Sequence, residues 1–79
     1  MFKTTRAEAL VTARRLLRGY ASAPDPRRQV QQIYGALVHG EGWAARQEAE
    51  ILAFGTWLQG HPTLGELKAR SEALLSKIG

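Results

Sequence analysis

The sequence of 79 residues predicts an all-α fold, a compact bundle of four short helices. Apolar side chains recur at helical spacing in four segments, and Pro or Gly residues separate these segments. No stretch alternates apolar and polar residues as a half-buried strand does. The predicted helices span residues 6–20, 26–39, 43–59 and 64–78. They form a single domain over residues 1–79, because a chain of this length supports one hydrophobic core.

The first predicted helix begins at a capping box. In Thr5-Arg6-Ala7-Glu8, the hydroxyl and the carboxylate are spaced to satisfy the free amides of the first turn. At 100° per residue, one arc of this helix is apolar and carries Phe2, Ala9, Ala13, Leu16, Leu17 and Tyr20. The opposite arc carries Ala7, Val11, Arg14, Arg15 and Arg18.

The second predicted helix starts at a cap followed by a proline. Asp25 is a favoured N-cap residue, and Pro26 suits the first helical position. The apolar stripe of this helix consists of Val30, Ile33, Tyr34, Leu37 and Val38. Gly40-Glu41-Gly42 interrupts the pattern and predicts a tight turn between antiparallel helices.

The third predicted helix has the least polar composition. Residues 51–58 are apolar around much of the helix circumference, which predicts a central helix buried on more than one side. Gly55 within it indicates the close approach of a neighbouring helix. Trp43 and Trp57 are expected in the core, or as an exposed anchor where the bundle is too small to cover both.

The fourth predicted helix follows a helix-ending Gly60-His61-Pro62 and a second capping box, Thr63 to Glu66. Its stripe has nearly heptad spacing and contains Leu64, Leu67, Ser71, Leu74, Leu75 and Ile78. We expect the Ser71 hydroxyl to bond a carbonyl one turn earlier. The stripe can pack on the bundle, or it can form a homodimer through Leu64, Leu67, Leu74, Leu75 and Ile78.

Positive charge is concentrated near the N-terminus. The net charge is +4, and residues 1–28 hold seven basic and two acidic side chains, against four basic and five acidic ones in residues 29–79. Arginine presents a planar fork that binds carboxylates and phosphates through two hydrogen bonds. The candidate partner- or phosphate-binding residues are Arg14, Arg15, Arg18, Arg27 and Arg28. A solvated basic helix face is the simpler interpretation of the same residues.

Several kinds of function are not expected from this sequence. Zero cysteines exclude disulfides, thiolate nucleophiles and Cys-based metal sites, and they favour a reducing compartment. The chain shows no signal peptide and no membrane span, so the predicted location is the cytoplasm. His39, Glu41 and His61 match no standard metal-binding spacing. The sequence contains no catalytic motif and no cofactor motif. We therefore predict no enzyme activity, no cofactor and no bound metal.

The second and third helices do not fit a helix-turn-helix motif. Placing the turn at Gly40 or at Gly42 puts Arg46 or Glu48 at the position where the second helix of the motif buries an apolar residue. Both registers therefore fail. A basic helix lying on a membrane surface is a weaker interpretation of the first helix, because its apolar arc is needed to close the bundle.

Two classes of function are compatible with these observations. The first is a small non-enzymatic protein–protein interaction module, a regulator, inhibitor or chaperone of a larger assembly, that meets an acidic partner through its basic helix face. Proteins of phage or mobile-element type are included in this class on grounds of size. The second is a nucleic-acid-binding accessory protein that places the same arginines on phosphates.

Overall fold

The structure is a computed structural model that describes residues 4–79, so the predicted place of Phe2 on the apolar arc lies outside the described residues. Within these residues four helices form a compact globule, which confirms the predicted fold class. They are α1 (Arg6–Arg18), α2 (Pro26–Val38), α3 (Ala45–Leu58) and α4 (Leu64–Ile78), with a 3-10 turn at Tyr20–Ser22. Two short strands, β1 (Thr4–Thr5) and β2 (Gly40–Glu41), complete the fold.

Three helices begin at the caps that the sequence predicts. The Thr5 hydroxyl accepts the amide of Glu8 at 3.2 Å and donates to its carboxylate at 3.1 Å. The Asp25 carboxylate accepts the amide of Arg28, and the Thr63 hydroxyl accepts that of Glu66, each at 3.3 Å. Local sequence therefore fixes these helix starts.

The start of α3 and the segment after its end differ from the prediction. Ala44 precedes the helix, and its amide donates to the Gln47 side chain at 2.9 Å, so Trp43 lies outside α3. At the other end, His61 rather than Gly60 adopts the left-handed conformation, with φ of 55°. The following Pro62 is buried.

The connection between α2 and α3 is more than the tight turn that was predicted. Gly40 and Glu41 pair in parallel with Thr4 and Thr5 and hold the start of α1 against the end of α2. A Cβ at Gly40 would meet the Ala9 Cβ at 2.8 Å, so this strand pairing depends on a glycine. Gly42 follows with φ of +88°.

All four helices contribute to the core, most of its buried side chains come from α2 and α4, and each of these two helices packs against the other three. The prediction that the third helix is central is wrong, because α3 packs mainly on α2 and α4 and leaves one face in solvent. Leu52 on that face is 51% exposed, whereas Ile51 and Phe54 are buried.

The predicted stripes of α2 and α4 are buried over most of their length. Val30, Ile33 and Leu37 have no exposed surface, but Val38 at the end of α2 is 46% exposed and leaves the predicted stripe. On α4, Ser71 is fully buried, and its hydroxyl donates to the carbonyl of Leu67 at 2.7 Å, as predicted.

Candidate functional site

The five candidate arginines, Arg14, Arg15, Arg18, Arg27 and Arg28, are all exposed. Within residues 4–79, none of their side chains takes part in an ion pair or a hydrogen bond. Each guanidinium therefore keeps its donors free for an anionic group.

Arg14 and Arg18 lie along a groove between α1 and α4, which we call the basic groove. Its volume is about 620 Å³. The lining residues on the α1 side are Arg14, Leu17, Arg18 and Ala21, and those on α4 are Lys68, Glu72, Leu75 and Ser76. The spacing of Arg14 and Arg18 by four residues puts both on one face of α1.

The two walls of the groove run antiparallel. The Tyr20 hydroxyl, just after α1, donates to the carbonyl of Leu64 at the start of α4. At the other end, the Arg14 guanidinium lies against Gly79, where an added Cβ would contact it. The carboxyl end of a helix carries partial negative charge, so this position suits a guanidinium.

The basic groove combines positive charge with an apolar floor. Leu17 and Leu75 form the floor, and more of the exposed lining is apolar than polar. The rim carries the cationic side chains of Arg14, Arg18 and Lys68 and the carboxylate of Glu72, so its net charge is positive. Val11, which is 62% exposed, lies on the same arc of α1 as the arginines and adds an apolar side chain beside the groove.

The remaining candidate arginines are not among the residues that line the basic groove. Arg27 borders a separate depression lined also by Gln31, Leu58, Gln59, His61 and Leu67. Arg15 and Arg28 line neither of these two depressions. The structure thus brings Arg14 and Arg18 together with Lys68, which sequence reasoning did not single out. The four-residue spacing of Lys68 and Glu72 on α4 was the available signal, but it does not reveal which helix faces them.

The homodimer surface predicted on α4 is not available in this structure. Leu67, Leu74, Leu75 and Ile78 are each 5% exposed or less, because they form the core against the other helices. Leu64 alone of that set is exposed. The leucine stripe therefore closes the monomer.

Metal-ligating side chains do not converge in the described part of the chain. No group of three or more His, Asp or Glu residues among residues 4–79 is arranged to hold a metal ion. His61 borders the depression of Arg27, and His39 caps the end of α2.

The two tryptophans are partly buried and already engaged. The Trp43 indole N–H donates to the carbonyl of Leu37 at 2.9 Å. Trp57 packs on Phe54 with ring centroids 5.5 Å apart, and the Arg70 guanidinium lies 5.3 Å from its ring centroid. Neither tryptophan lines the basic groove.

Fold and groove together define a class of protein, the small all-α domain with an apolar, basic-edged groove on its surface. Among residues 4–79, no helix combines the length and apolar character needed to span a membrane. Comparisons with protein-family models, curated proteins and solved structures gave no match.

Proposed function

We propose that this protein is a non-enzymatic protein–protein interaction module, a regulator, inhibitor or chaperone of a larger assembly, and that its basic groove binds an acidic, amphipathic segment of the partner. The observation that carries the proposal is the combination, in one groove, of unpaired cations on the rim and leucines in the floor. Cytoplasmic location stays a prediction of the cysteine-free sequence.

An amphipathic helix matches both properties of the groove. Its apolar face would lie on Leu17 and Leu75, and acidic side chains at its edges would meet Arg14, Arg18 and Lys68. Burial of the apolar face supplies affinity, while the opposite charges increase the rate of encounter and set the orientation.

Nucleic acid is the second candidate ligand, and the five unpaired arginines are the observation that favours it. Phosphates require cations but gain nothing from an apolar floor. Single-strand binders also stack bases on aromatic rings. The Tyr20 hydroxyl is bonded to Leu64, and the basic groove has no aromatic side chain in its lining. We therefore rank nucleic acid second.

A titration by fluorescence anisotropy distinguishes the two ligands. The probes are a labelled amphipathic Glu/Leu helix, a scrambled peptide of the same composition, a random-sequence DNA duplex and a matching single strand, each over a series of salt concentrations. We expect the amphipathic peptide to bind more tightly than its scrambled form and than either DNA. Tighter binding of DNA, with a steep dependence on salt, would contradict the proposal and support the second candidate.

Charge reversal locates the surface. The variant R14E/R18E/K68E reverses the groove, and R27E/R28E is a control that reverses cations outside it. We expect the first variant to lose peptide binding and the second to retain it. Equal loss in both would show that overall charge, and not the groove, determines binding.

A further inference from the structure

We propose that the solvent face of α3 is an interface with a second copy of this chain, in which two α3 helices pack in parallel about a two-fold axis. We call this surface the outer face; its residues are Ala45, Ala49, Leu52, Ala53 and Thr56. All five are exposed. This inference goes beyond the proposed function, and the outer face shares no residue with the basic groove.

The first observation is that α3 is the most hydrophobic of the four helices and yet is exposed along one side. A helix that is apolar around its circumference is normally buried on all sides. The fold buries Ile51, Phe54 and Gly55 but leaves Leu52 at 51% exposure. The alanines of the outer face have short side chains, so the backbone of another helix can approach closely.

The second observation is that the apolar surface continues onto α2. A groove of about 450 Å³ runs beside α3 and includes Val38, Trp43 and Leu52 in its lining. Within residues 4–79, Val38 and Leu52 are two of the four large apolar residues that are exposed. Both side chains line one groove beside the outer face, where Glu41 and Glu48 lie next to them and more of the exposed lining is polar than apolar.

The third observation identifies the occupant, because the two edges of the outer face carry opposite charge. Glu48 lies on the α2 side, where it lines the groove with Val38 and Leu52. Arg46 lies on the α4 side, where it lines a depression with Glu50, Lys77 and Ile78. Glu50 pairs with Lys77 at 3.9 Å, so Arg46 is the unpaired charge on this edge among residues 4–79. On the helix, Glu48 and Arg46 are on opposite sides of the strip of alanines. The outer face of one copy can therefore match the charges on the outer face of a second copy.

Symmetry then selects the orientation. In a parallel pair related by a two-fold axis along the helices, the Glu48 edge of one copy meets the Arg46 edge of the other, and the second contact repeats the first. In an antiparallel pair, edges of the same charge meet. The parallel arrangement thus forms two Glu48–Arg46 contacts and buries Leu52 of both copies.

Sedimentation equilibrium of the full chain over a range of micromolar concentrations tests this interface. We expect wild type to show a monomer–dimer equilibrium and A49E to be monomeric. E48R and R46E should each raise the dissociation constant at least about tenfold, because like charges then face each other. The double variant R46E/E48R exchanges the two edges and should restore dimerisation.

The control is L64E, which adds the same charge at an exposed leucine outside the outer face. It should dimerise like wild type, and circular dichroism should show all variants folded. A monomeric wild type at every concentration, failure of the double variant to restore the dimer, or equal loss in L64E would overturn the proposal. These outcomes are independent of peptide binding by the basic groove.

Discussion

The packing of α3 against Tyr34 of α2 depends on the absence of a side chain at Gly55. A Cβ at this position would lie closer than 3.0 Å to several atoms of the Tyr34 ring. That ring is itself packed against Phe54, with centroids 6.5 Å apart. The sequence pattern indicated a close approach at Gly55, and the structure shows that α2 makes it through Tyr34.

We expect Gly55→Ala to destabilise the protein. Overpacking typically costs about 1–3 kcal/mol and here outweighs the roughly 1 kcal/mol that alanine gains over glycine inside a helix. Thermal unfolding followed by circular dichroism measures the effect.

The matched control is Gly35→Ala in the middle of α2. A Cβ there would meet no atom within 4 Å, so only the helix preference of alanine acts, and the melting temperature should rise by the equivalent of about 1 kcal/mol. A lower melting temperature for Gly35→Ala, or a higher one for Gly55→Ala, would contradict this account of the two glycines.

At the scale of the element, α3 differs most from its sequence-based prediction. The apolar run of residues 51–58 indicated burial on more than one side, but the bundle has only four short helices to cover it. The inner half packs on α2 and α4. The outer half stays exposed because no other helix within residues 4–79 packs on it.

Phe54 anchors the inner half of α3, since it is 1% exposed and contacts Tyr34 and Trp57. Phe54→Ala should lower the free energy of unfolding by about 3–5 kcal/mol, as measured by urea unfolding. A chain of this length has a total stability of about 4–12 kcal/mol, so this variant can be largely unfolded.

A milder substitution keeps the test quantitative. Phe54→Leu should cost less than Phe54→Ala but clearly more than Val11→Ala, an exposed control expected within about 0.5 kcal/mol of wild type. An effect of Phe54→Ala no larger than that of the control would show that α3 is not held by this side chain.

At the scale of the whole molecule, the concentration of arginines near the N-terminus is separate from the forces that hold the fold together. Arg14, Arg15 and Arg18 are exposed and make no ion pair within residues 4–79. Stability comes instead from the buried core that all four helices share, to which these side chains contribute little.

The triple variant R14A/R15A/R18A should therefore remain folded. It lowers the formal net charge from +4 to +1, and each substitution should change stability by no more than about 0.5 kcal/mol. Circular dichroism and thermal unfolding test this expectation. Loss of helix content would assign the arginines a structural role and would contradict their use as a binding surface.

Much of the fold could be predicted from the sequence, because the deciding interactions are local. Thr5, Asp25 and Thr63 cap helices by bonding amides three residues away. The stripe of Val30, Ile33 and Leu37 defines a buried face from spacing alone. The two-residue strand pair was missed, since Thr4 and Gly40 are distant in sequence and show no alternating pattern.

The α1 wall of the basic groove could be predicted from local spacing, but its α4 wall could not. Arg14 and Arg18 share a face of α1 by their spacing, and the charge distribution singled them out. Lys68 and Leu75 on the opposite wall did not emerge, because their role depends on which face of α4 meets α1.

The sequence by itself determined the helical segments, the caps of α1, α2 and α4, and most of the side chains that α2 and α4 bury, since the 3.6-residue period acts within a single element. Only the tertiary structure decided that α1 lies beside α4 and that the outer face of α3 is left uncovered. Both depend on how the apolar areas of all four helices are shared in one small core. Such packing joins residues that are distant in sequence. The hydrogen bond from the Tyr20 hydroxyl to the Leu64 carbonyl, for example, connects the end of α1 to the start of α4.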